Sequence, residues 1–150
     1  MDNDLANFLA GASASDNCGN VTITNELVST TPGCGNSETQ LYQFTATDQS
    51  GNTSTCFATY TIVDTTPPVL TGPNGNLTVD CSNPDISGTI DAWLNTAMAT
   101  DLCGDPIVSN DFTDFESLDF CSGNQVSQTV TFTATDECGN VSLLQQWFLL

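Results

Sequence analysis

The sequence contains no lysine, no arginine and no histidine, and sets eighteen carboxylates against that absence. No side-chain salt bridge can form, so the self-repulsion of a formal charge of −18 falls to solvent ions or bound cations. Nucleic acid and anionic membrane surfaces are poor partners, because both are gripped through Lys and Arg. A Ser or Cys nucleophile would have no ordinary base beside it. A carboxylate pair could in principle run glycosidase chemistry, but no acid sits in an evident apolar setting that would raise its pKa, and no catalysis is expected. The seven cysteines include no Cys-x-x-Cys spacing and have no histidine to join them, which disfavours zinc and thioredoxin-like sites. Disulfides in an oxidising, extracytoplasmic compartment fit better. No apolar run is long enough to span a bilayer, and Met1-Asp2-Asn3-Asp4 does not read as a signal peptide.

What the chain does have, it has twice. Thr45-Ala46-Thr47-Asp48-Gln49-Ser50-Gly51-Asn52 returns as Thr133-Ala134-Thr135-Asp136-Glu137-Cys138-Gly139-Asn140. Upstream, Tyr42, Phe44 and Ala46 alternate with polar residues, as do Val130, Phe132 and Ala134; this is the period-two pattern of a strand with one buried face. Asp-x-x-Gly-Asn then reads as a turn, Asp accepting local N–H bonds and Gly tolerating positive φ. A second alternating run follows, through Ala58, Tyr60 and Ile62 in one copy and through Phe148 and Leu150 in the other. Each copy is a β-hairpin.

Leu5, Phe8, Leu9 and Ala12 fall at helical spacing, as do Ile90, Trp93, Leu94 and Ala97, which predicts a short helix per unit that is too short to hold alone. Loops carrying Asp16-Asn17-Cys18-Gly19 and Asp101-Leu102-Cys103-Gly104 follow, then strands beginning at Val21 and near Ile107. Ser29–Ser37, with Cys34, and Asp111–Asn124, with Cys121, read as connections. Asp64-Thr65-Thr66-Pro67-Pro68 is the domain boundary, stiffened by two prolines, and gives units of 1–65 and 66–150. Both ends read as cut from a longer tandem array. The fold expected from the pattern is all-β, two tandem β-units each with a short helix.

Ala92-Trp93-Leu94-Asn95, Asp16-Asn17-Cys18-Gly19, the two Thr-Ala-Thr-Asp runs and Asp64-Thr65-Thr66-Pro67-Pro68 together resemble the hyalin-type (HYR-like) immunoglobulin-like repeats of very large bacterial surface proteins. They are most similar to the repeats of SprB-type gliding adhesins of the Bacteroidota. The resemblance implies two tandem immunoglobulin-like Greek-key β-sandwiches, each with a short helix, in an extracellular, cell-surface spacer that holds a functional tip away from the cell, with neighbouring repeats as its partners. Surface glycans or proteins would be met through other regions. Unit one departs from the pattern at Ser50, where unit two has Cys138, and lacks a counterpart of Cys81.

If each unit is a Greek-key sandwich, the cysteines sort by end. That predicts Cys103–Cys138 and Cys81–Cys121 in unit two, Cys18–Cys56 in unit one, and Cys34 without a mate. The same sorting gathers Asp64, Asp101, Asp136 and Asn140 at one end of unit two, and Asp16, Asp48 and Asn52 at the matching end of unit one. Hard oxygen ligands without imidazole favour calcium. The alternative is that these aspartates are turn formers bonding their own backbone. Asn20, Asn52, Asn76 and Asn140 open Asn-x-Ser/Thr sequons, which a chain rich in Asn, Ser and Thr produces by chance. Trp93 lies on the apolar helix stripe and reads as core. Trp147 falls out of phase with Phe148, so it covers a sheet face or offers a sugar platform.

Overall fold

The computed structural model describes residues 3–113 and 127–149, which are mostly β with two short helices. The chain divides between Asp64 and Thr65 into two compact units.

Unit one opens with helix α1 (Asn3–Ala10), which carries Asp4 in its first turn where the helix dipole favours an acid. Strands β1 (Thr22–Pro32), β2 (Glu38–Thr47) and β3 (Thr53–Ile62) follow, forming one antiparallel sheet in chain order. Tyr42 and Phe44 are buried on its inner face. Phe8 of the helix sits over them, its ring 5.9 Å from that of Tyr42, 6.0 Å from Phe44 and 5.4 Å from Tyr60. The described strands of this unit therefore make a meander rather than the two sheets of a sandwich. β1 also runs through Ser29–Pro32, which the Thr- and Pro-rich composition had assigned to a connection. A bulge between Leu27 and Ser29 lets the strand continue against β2 as far as Pro32, and a proline is tolerated there because β1 is an edge strand of the sheet.

Unit two contains strands β4 (Val69–Thr71) and β5 (Leu77–Thr78), helix α2 (Ile86–Leu94), and strands β6 (Met98–Thr100), β7 (Ile107–Asn110), β8 (Ser127–Thr135) and β9 (Val141–Leu149). Here the strands do form two sheets. β4 pairs antiparallel with β6; the larger sheet has the order β5-β9-β8-β7, with β5 parallel to β9. β4 also lies against β8 and β9. α2 is capped by Asp85, whose Oδ1 accepts the Gly88 N–H at 2.9 Å. It buries Ile90 and Trp93 on a core of Val79, Val130, Phe132 and Phe148. The core position expected of Trp93 is the observed one. Its ring meets Phe132 and Phe148 edge-on, and its Nε1–H donates to the Gly75 carbonyl at 3.1 Å, which settles the one polar atom it buries.

The two units share a register. Thr22 faces Thr47 and Ile23 faces Ala46 across β1 and β2; Ile107 faces Thr135 and Val108 faces Ala134 across β7 and β8. The second hairpin matches too, with Thr47 opposite Thr53 in one unit and Thr135 opposite Val141 in the other. One helix, one loop and three antiparallel strands have thus been used twice. Unit two adds the strands β4 and β5 ahead of its helix, and pairs the segment after the helix as β6.

Candidate functional site at the Asp-turn ends

The doubled hairpins close through the same turn, built on the first Asp. Asp48 Oδ1 accepts the N–H groups of Ser50 and Asn52, both at 2.8 Å, and its Oδ2 accepts the Asn52 side-chain amide at 2.7 Å. Asp136 repeats the pattern with the N–H groups of Cys138 and Asn140 at 2.8 Å and the Asn140 amide at 2.8 Å. The glycine between sits in the left-handed region, φ 85° at Gly51 and 83° at Gly139, where a side chain would be strained. In the preceding loops Asp16 accepts from the Cys18 N–H at 2.8 Å and Asp101 from the Cys103 N–H at 2.7 Å.

These bonds shift the carboxyls. The Asn52 side chain, then its N–H, holds Asp48 below the ordinary carboxylate range. At Asp136 burial pushes upward most strongly, but the Asn140 side chain, the Asn140 N–H and the Cys138 and Gly139 N–H groups together outweigh it and leave the group lowered. Asp80, outside the doubled hairpin, is lowered by the Ser82 hydroxyl and N–H.

Of the residues the sequence proposed for calcium, the structure brings Asp48 to Asn52 and Asp136 to Asn140. Asp16, Asp48 and Asn52 also line one cavity of about 380 Å³ in unit one. Asp64 belongs to unit one, at the end of β3, where its N–H donates to Ser37 Oγ at 2.9 Å; Asp101, Asp136 and Asn140 belong to unit two. At Asp48 and Asp136 both carboxylate oxygens accept bonds from their own turns, as turn formers do.

The disulfide pairs expected from sandwich geometry need correction. Cys18, Cys56 and Cys103 keep their thiols, whereas Cys34, Cys81 and Cys138 are disulfide-bonded. Neither Cys18–Cys56 nor Cys103–Cys138 forms, and Cys34 does not lack a mate. Cys121, proposed for Cys81, lies outside the described residues. Sharing one end of a unit does not suffice, because a disulfide needs its Cβ atoms roughly 3.5–4.5 Å apart and correctly aimed. Cys56 is fixed by strand register opposite Phe44, and Cys18 is held in the Asp16 loop.

Sequence reasoning did not find the unit-one cavity. Its walls are Ala12–Asp16, Val21 and Ile23 of the loop and β1, Phe44 and Ala46 of β2, and the first half of β3 through Cys56. The signal was present: unit two has Val69-Leu70 ahead of its helix, and residues 1–65 contain no matching segment. Trp147 is 45% exposed on the outer face of β9, and its backbone N–H donates to Asn76 Oδ1. No helix of the described residues is long and apolar enough to cross a membrane. Comparison with models of known protein families finds no match, and no curated protein matches the chain.

Proposed function

We propose that the chain is a non-catalytic, two-repeat segment of an extracellular cell-surface adhesin filament, acting as a spacer in surface attachment or gliding. The observation that carries this reading is the shared register of the two units, with Ile23 on Ala46 and Val108 on Ala134. A structural array needs one blueprint used repeatedly, while a binding or catalytic protein has no such need. The prolines at 67 and 68 stiffen the join, disulfides support small cores, and a carboxylate coat without a single basic side chain keeps neighbouring filaments apart. Solution scattering from one, two and three concatenated copies tests the reading. A spacer gives a maximum dimension that grows linearly with copy number; a cooperative globule gives growth near the cube root.

A second reading is favoured by Trp147. On its face of β8 and β9 stand Thr129, Thr131, Thr133, Gln145 and Leu143, and the paired positions carry no carboxylate. An exposed indole among hydroxyls and amides suits a neutral sugar. A glycan-array signal that disappears in Trp147→Ala would favour a carbohydrate-binding module over the spacer.

A further inference from the structure

We propose that the cavity of unit one is a strand-acceptor site. Its occupant is an extended segment of the Pro-Pro-Val-Leu-Thr type, the leading segment of a repeat of this kind, laid along the Ser13–Ser15 backbone. The identity of the strand rests on the repeat reading above; the cavity does not.

Two equivalent places within one chain are covered differently. Asp16 corresponds to Asp101 and Ala14 to Ala99, so Ser13–Ser15 is the counterpart of β6. In unit two β6 is covered by β4: Leu70 faces Ala99 in the pairing and joins the core. In unit one Ser13–Ser15 pairs with no strand among the described residues. The side chains beneath tell the same story. Ala134 is fully buried, whereas its counterpart Ala46 is only half-buried and lines the cavity. Leu144 packs on the unit-two core, while the matching Cys56 is an exposed thiol on the cavity wall. Ala99 is half-buried, and Ala14 is exposed.

The chemistry of the walls selects the occupant. Alanines 12, 14 and 46, Val21, Ile23 and Phe44 offer an apolar floor, and the Ser13–Ser15 backbone offers a row of donors and acceptors beside it. A strand satisfies both at once, through ladder bonds to the edge and one branched side chain on the floor. Leu70 is that side chain in unit two. Asp16 and Asp48 in the lining repel an acidic segment, and Pro-Pro-Val-Leu-Thr carries no charge.

The test uses the full chain with a Cys81→Ser copy of residues 65–85 joined directly ahead of Met1, the register that the Asp16–Asp101 correspondence dictates. Cys56 and Cys18 are then alkylated with iodoacetamide and followed by peptide mass spectrometry. The added strand slows Cys56 alkylation at least about tenfold, because tethering raises its effective concentration to the millimolar range. Cys18, outside the cavity, reacts at an unchanged rate. An aspartate in place of the leucine that copies Leu70 restores the Cys56 rate. Cys56 reacting equally fast with and without the strand overturns the proposal and leaves the scattering test of the spacer untouched. Protection that survives the aspartate overturns it as well. Concentration-dependent protection in the chain without the addition would assign the cavity to a second copy instead, and likewise overturns it.

Discussion

Trp93 sets its ring 5.6 Å from that of Phe132, edge to face at 78°. Phe8 and Phe44 stand in the same relation in unit one, at 6.0 Å and 71°. In both units the large aromatic of a short helix lies on the phenylalanine two residues before the Ala of Thr-Ala-Thr-Asp. The helices have eight and nine residues and would not persist alone, so packing of this kind helps to hold each one.

Removing it should be costly. Trp93→Ala is expected to destabilise unit two by roughly 3–5 kcal/mol, since a buried aromatic is lost and the Gly75 carbonyl loses a donor. Trp147→Ala, on an exposed outer face, should stay within about 0.5 kcal/mol. Denaturant melts of the two variants check the contrast.

The turn aspartates give a pH dependence with a fixed sign. Asp48, Asp80 and Asp136 are all lowered in the folded chain. Their contribution is therefore fully present above the unfolded carboxyl value of about 4 and is lost as pH falls through the lower folded values. The melting temperature should fall as the pH drops below about 4. Asp136→Asn should begin with a lower melting temperature and show a shallower acid limb. Equal limbs would remove Asp136 from the explanation.

Calcium has a direct check. With both oxygens of Asp48 and Asp136 engaged by their own turns, millimolar calcium and excess chelator should give the same melting temperature. A rise of several degrees with calcium would show that the folded chain binds the ion.

The cysteines divide by accessibility to reagent. Without reductant, iodoacetamide should modify Cys18, Cys56 and Cys103, and should reach Cys34, Cys81 and Cys138 only after reduction. Reduction should also lower stability by about 2–4 kcal/mol per bridge broken. Modification of Cys34 in the unreduced protein would contradict the structure.

Much of this fold was legible because hydrophobic period reports which face of a strand is buried. Tyr42, Phe44, Val130, Phe132 and Phe148 all read correctly as inward, and Leu5-Phe8-Leu9 and Ile90-Trp93-Leu94 as helical. The Asp-x-x-Gly-Asn turns were legible for a local reason, since their bonds lie within five residues. What the period cannot report is which strand neighbours which. The parallel pairing of Leu77 with Phe148 joins segments about half the chain apart, and nothing in either encodes the choice. Disulfide connectivity fails for the same reason: spacing does not fix partners. The single sheet of unit one was missed because the doubled hairpin invited equal treatment of both units, although only one has a Val-Leu segment ahead of its helix.

The central claim is that one blueprint is laid down twice in the same register. Cross-strand nuclear Overhauser effects in the labelled chain measure that most directly. Contacts are expected between Ile23 and Ala46 and between Val108 and Ala134, with Thr47 to Thr53 and Thr135 to Val141 beyond them. A one-residue slip in either unit, or contacts joining β1 to β3 in place of β2, would contradict it.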